Sequence, residues 1–285
     1  MTKLRTNEDK LVTMIVNGSV DHPRMGRFYT GYDGKGRLSV GTGGITCSHA
    51  IGDSCMDVAG DHVEPGVSMA NPDDRANHAL ETLACIGNPV KVLNGPAQGS
   101  MGRVTGTHGG VEHTMAWFEP AALDQMEGHE NFMVKARGQG LKLLDHPGIF
   151  MMNIDPELLH KLPVKEEGGR LLFPVTAIIP AHMMGSGIGS QTMMEGDYDI
   201  MTQDRKAVKD LGLDKLRFGD FVAIEDQEAA YGPHYEKGAM TIGVIVHSDS
   251  FTSGHGPGVT VIATAHEGLG AYVDPEANLK RWLAA

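Results

Sequence analysis

The chain has 285 residues, 24 Lys and Arg against 36 Asp and Glu, a formal net charge of -12 and 38 glycines. This length allows one or two domains with a substantial core, which excludes a wholly disordered chain. The acidic balance, without clustered Lys or Arg, argues against nucleic-acid binding. No apolar run approaches the ~18 residues of a spanning helix, and the polar N-terminus lacks the apolar stretch of a secretory signal. A cytoplasmic protein without a membrane or nucleic-acid partner is therefore expected. The three cysteines, Cys47, Cys55 and Cys85, include no C-x-x-C pair and read as small buried hydrophobes.

Short stretches rich in Val and Ile, bounded by Gly, Pro, Asn or Asp, predict strands over residues 10–16, 89–93, 111–118, 131–136, 148–154, 170–179, 220–225, 240–247 and 258–263. Few intervals between them leave room for a crossover helix, which favours antiparallel hairpins. Helical spacing appears over 73–86, where Ala76, Ala79, Leu80 and Leu83 share a face before Gly87, and over 120–126, 204–211 and 276–283. Residues 99–118 and 219–247 both read as strands joined by glycine turns, as in small barrels. The expected fold class is mainly β or α+β, with antiparallel strands, barrel-like modules and a few peripheral helices. The charged stretch 163–170 divides it into a domain over 1–163 and a second over 170–285, with a site at their interface as one arrangement.

The glycine content is nearly double the ~7% average, without a collagen period. Many glycines flank polar clusters. Between Gly60 and Pro65 lie Asp61, His62 and Glu64; in extended backbone His62 and Glu64 share one face, suiting metal binding or an acid–base pair. His108 precedes Gly109 and Gly110. His113, flanked by apolar side chains, reads as a hydrogen-bonded core histidine, and Glu112 points to the opposite face. After the apolar strand 240–247, His247 and Asp249 project together, and His255 stands in a Gly-His-Gly-Pro-Gly loop. Gly185, Ser186, Gly187, Gly189 and Ser190 form a loop whose N–H groups could hold an oxyanion. It is followed by no amphipathic helix, so a dinucleotide site is rejected and no nucleotide cofactor is expected. Paired methionines flank this loop and supply adaptable packing.

Residues 42–46, 59–66, 82–88, 138–145, 184–187, 247–250 and 254–258 together resemble a prokaryotic family catalogued as a domain of unknown function. The resemblance spans nearly the whole chain. It implies a β-rich cytosolic protein of this length and carries no established activity.

The residues themselves point to a small-molecule enzyme, foremost a metal-assisted or acid–base hydrolase of an amide or cyclic amide. His62, His247 and Asp249 are the expected ligands of a divalent metal of open identity; Glu64 is the base that activates water, with Asp61 and His255 also catalytic. His108 and the Gly185–Ser190 loop would bind substrate. A lyase or isomerase acting beside a carboxylate, or a non-catalytic small-barrel assembly protein, are the alternatives, and homo-oligomerisation is left open.

Overall fold

The computed structural model describes residues 4–23, 28–38 and 40–283. It is built mainly of antiparallel strands with few helices, as expected. Seven strands form the first sheet, in the order Met14–Val20, Asn131–Ala136, Pro89–Val92, Met101–His108, His113–Trp117, Gly66–Ala70 and Ile45–Thr46. Met14–Val20 also pairs with Gly66–Ala70, so six of these strands close into an antiparallel barrel. Alternate residues pointing inward fill it, including Val67, Met69, Val90, Val104, Phe118, Phe132 and Val134, all fully buried. Helix Asp74–Leu83 is capped by Asp73, whose side chain accepts from Ala76 N–H, and packs Leu80 against this core. Gly18, mid-strand, makes room for it: a Cβ there would lie 2.9 Å from Leu80 Cδ2.

The second sheet orders Phe150–Met151, Gly258–Ala265, His234–Ile245, Phe221–Glu228 and Ala177–Pro180, with Tyr198–Asp199 also pairing Gly258–Ala265. A three-stranded sheet, Lys165–Glu167, Arg170–Val175 and Leu269–Val273, adjoins it. The large hydrophobic cluster runs through residues of both halves, from Leu4 and Ile86 to Trp282. Thr107 N–H donates to Thr260 Oγ1 (3.1 Å) and Thr260 Oγ1 donates back to Thr107 O (3.1 Å), tying the barrel wall to the second sheet.

Several boundaries differ from the sequence reading. The stretch 170–179 is two strands in different sheets, broken at Thr176, whose N–H turns to Phe221 O (2.8 Å). Some strand pairings are parallel, as in Arg170–Val175 with Leu269–Val273 and Ala177–Pro180 with Phe221–Glu228. The first strand starts at Met14, because its register is set by Asn131–Ala136 rather than by the apolar run that begins earlier. Helix Pro156–Lys161, capped by Asp155 with Pro at its first turn, is an element beyond those expected from the sequence. Of the cysteines, Cys55 and Cys85 are buried and Cys47 is exposed. Among the described residues no helix is long and apolar enough to cross a membrane.

Candidate metal centre

Four histidines far apart in sequence converge where the barrel meets the second sheet. His62 comes from the loop before Gly66–Ala70, His108 from the end of strand Met101–His108, His247 from just beyond strand His234–Ile245, and His255 from the following loop. Ring centroids are 4.2 Å apart for His108 and His247, 4.9 Å for His62 and His247, and 5.2 Å for His62 and His255. One potential ligand atom from each of His62, His108 and His247 lies within 4.8 Å of the other two.

Each of these three rings is held by its Nδ1. His108 Nδ1 lies 2.5 Å from Glu64 Oε1, His62 Nδ1 3.0 Å from Asp61 Oδ2, and His247 Nδ1 2.9 Å from Ser248 O. A carbonyl or an ionised carboxylate can only accept, so each Nδ1 carries the proton and donates it. Glu64 is ionised: burial alone would raise its pKa, but the charges and hydrogen bonds of His108 and His113 hold it well below the usual carboxylate range. Asp61 is likewise held down by His62, against the opposing effect of burial. In this arrangement Nε2 is the nitrogen left to face a ligand, as in metal-binding histidines oriented by an outer shell.

Two carboxylates complete the cluster. Asp197 and Asp199 precede and end the short strand Tyr198–Asp199, and their alternation puts both on one face. His247 Nε2 is 2.7 Å from Asp197 Oδ2 and 3.4 Å from Asp199 Oδ1. His247 Nε2 and Asp197 Oδ2 are both buried, yet neither makes a well-aligned hydrogen bond, to the other or to any other group. Against burial, the two carboxylates still draw the His247 pKa well above its ordinary value, while His108, buried beside His247, is pushed down. Such a group of proton-competing donor atoms is what a cation satisfies by replacing the shared proton.

Above the cluster opens a cavity of about 450 Å³, with His62, His108, His113, His255, Asp21 and Glu112 among its lining residues. His113 is buried and hydrogen-bonded, as expected, and also borders this cavity. Its Nδ1 lies 2.9 Å from Glu64 Oε2 and its Nε2 3.0 Å from Asp21 Oδ2. Burial disfavours its charge, but these two carboxylates prevail and raise its pKa to about 9.

The structure reassigns several expected roles. His62 has φ 50, in the left-handed region, so the strand alternation that placed it beside Glu64 does not hold. Glu64 is fully buried and accepts from Gly43 N–H (2.6 Å), Ser68 Oγ (2.5 Å), His108 and His113, which leaves no room for a base that activates water. Asp61 is similarly occupied by Ser250 Oγ, Phe251 N–H and His62. Asp249, expected as a ligand, turns to Thr202 and Arg205, the latter at 2.8 Å, and stands outside the cluster. His108, expected to bind substrate, is instead one of the convergent imidazoles.

The glycine loop fails as an oxyanion cradle at its first positions: Gly185 N–H donates to Asp199 O (2.8 Å) and Ser186 N–H to Gly254 O (2.7 Å). Gly187, Gly189 and Ser190 line a neighbouring cavity together with Glu112 and Glu195, carboxylates that repel anions. Asp197 and Asp199 are site residues beyond those expected from the sequence. Their signal is the Asp-x-Asp alternation in a stretch that follows the glycine loop and has no amphipathic helical spacing.

Residues 28–160 match the family model described as domain of unknown function (DUF4438), N-terminal, and residues 161–283 the model described as domain of unknown function (DUF4438), C-terminal. A crystal structure of TM1086 is similar over 99% of each chain, with 44% identity and a TM-score of 0.93. No curated protein matches. The chain belongs to the DUF4438 family and carries both of its domains.

Proposed function

We propose that the protein is a metal-dependent enzyme, a hydrolase acting on an amide or cyclic amide of a small molecule, with His62, His108 and His247 as the principal ligands. The observation that carries this reading is the set of three imidazoles, each fixed through Nδ1, with ligand atoms within 4.8 Å of one another, beside the buried and unpartnered pair His247 Nε2 and Asp197 Oδ2. Nitrogen and carboxylate donors without thiolate suit borderline divalent cations such as Zn²⁺, Mn²⁺ or Fe²⁺. A bound divalent ion would supply Lewis-acid activation of water and of a carbonyl.

The protein's own groups would do the rest. Asp61 and Glu64 hold His62 and His108 in the ligating tautomer. His255, whose side chain is 32% exposed and borders the cavity, lies with Nδ1 2.8 Å from Asp199 Oδ2, which fixes a polar ring beside the substrate space. The charged His113, with Nδ1 on Glu64 and Nε2 on Asp21, offsets the negative charge of these two carboxylates at the cavity wall.

The test is elemental analysis of the purified protein, followed by chelation, reloading with Zn²⁺ or Mn²⁺, and a panel of N-acyl amino acids and cyclic amides assayed for ring opening or amine release. The expected result is stoichiometric metal, lost in His108→Ala and His247→Ala, and turnover that follows the metal. A folded protein that binds no divalent cation overturns the metal centre; a loaded protein inert on the whole panel overturns the hydrolase.

A further inference from the structure

We infer that the centre holds two divalent ions, bridged by Asp199, with the second ion on Ser186, Asp199 and His255. This inference rests on the metal reading above and extends it. The two oxygens of Asp199 face different partners: Oδ1 lies 3.4 Å from His247 Nε2, whereas Oδ2 lies 2.8 Å from His255 Nδ1 and 3.7 Å from His62 Nε2. The possible ligands accordingly fall into overlapping triads, His62 with His108 and His247, Asp197 with Asp199 and His247, and His62 with Asp199 and His255, rather than into one set of six. Bonds of about 2.0–2.2 Å keep all ligand atoms of one ion within roughly 4.4 Å of each other, so a cluster spread over these triads exceeds one coordination sphere. A carboxylate that directs one oxygen to each group is the usual geometry between paired ions about 3.5–4 Å apart.

Ser186 completes the second group. Its Oγ lies 3.4 Å from His255 Nδ1 and 3.5 Å from Asp199 Oδ2, which together with the 2.8 Å between those two atoms makes a compact triangle of one nitrogen and two oxygens. Edges near 3 Å are those of one face of a coordination sphere with ~2.1 Å bonds. This triangle has a hydroxyl, one carboxylate oxygen and an imidazole in a partly exposed loop, whereas the first group has three buried or nearly buried imidazoles. The second ion therefore binds more weakly and exchanges more readily.

The chelated full-length chain, dialysed free of chelator, is titrated with Mn²⁺ by calorimetry, with bound metal counted by elemental analysis and electron paramagnetic resonance recorded at each loading. Two Mn²⁺ per chain are expected, the second with Kd at least tenfold higher, and the spectrum should change from an isolated to a spin-coupled ion as the second site fills. His255→Ala, in a loop side chain that is one-third exposed, should keep the tight phase and lose the weak one. Saturation of the wild type at a single ion, or two retained ions in His255→Ala, overturns the inference while leaving the single-metal reading intact. Absence of any binding removes both.

Discussion

Gly258 offers the sharpest perturbation of the centre, because an added methyl would meet its ligands directly. A Cβ on Gly258 would lie 1.8 Å from Asp197 Oδ2, 2.3 Å from His247 Nε2 and 2.6 Å from His247 Cδ2. The backbone there is ordinary strand, outside the positive-φ positions, and Gly258 pairs in register with Asp199, so alanine is conformationally acceptable and the penalty is steric. To regain the ordinary contact distance of 3.4 Å, Asp197 must retreat by about 1.6 Å and His247 by about 1.1 Å. Metal–ligand distances tolerate only ~0.2 Å. Overpacking of this kind costs about 1–3 kcal/mol of stability, which a domain of this size survives. Gly258→Ala should therefore stay folded, with a melting temperature lowered by a few degrees, but lose at least 100-fold in affinity for Zn²⁺ or Mn²⁺, or about 2.7 kcal/mol. Calorimetric titration beside a thermal melt separates the two effects. Wild-type affinity in the folded variant would refute the assignment of Asp197 and His247 to the centre.

Glu64→Gln replaces an acceptor of two imidazole N–H groups by a side chain that offers one acceptor and one competing donor; ion affinity should fall 10- to 100-fold with the fold retained, and an unchanged affinity would remove Glu64 from the outer shell. Asp249→Asn loses charge only beside Arg205 and Thr202, so bound metal per chain should equal that of the wild type; a metal-free variant would restore Asp249 as a ligand. Glu81 tests electrostatics away from the centre: burial, then Glu112 and Glu195, push its pKa up to about 8. The folded state thus holds a proton that the unfolded chain, with a carboxyl near 4.5, releases earlier, so stability is full below about pH 4.5 and declines as pH rises toward 8. At ~1.4 kcal/mol per pH unit the loss is a few kcal/mol at most. Urea unfolding at pH 5, 7 and 9 should show this decline flattened in Glu81→Gln, and parallel profiles for the two proteins would contradict it.

The local elements were legible in the chain because they depend on local chemistry. Apolar alternation with glycine or proline at the ends marked Asn131–Ala136 and Gly258–Ala265, and Asp73 with the spacing up to Leu83 marked helix Asp74–Leu83. Glycines beside polar residues also located the chemistry: Gly60, Gly109, Gly254 and Gly258 all flank or press against the centre, where backbone must approach side chains closely. Which residue does what was decided by tertiary structure alone. The left-handed backbone at His62 cancels the face-sharing that alternation implies, and burial of Glu64 among four donors turns an apparent base into a clamp. Asp249 finds Arg205, from a helix more than forty residues earlier, and so leaves the ligand set to Asp197 and Asp199. Composition and spacing limit which groups a segment can offer, but a metal centre is a set of distances between segments, and those arise only when the barrel closes against the second sheet.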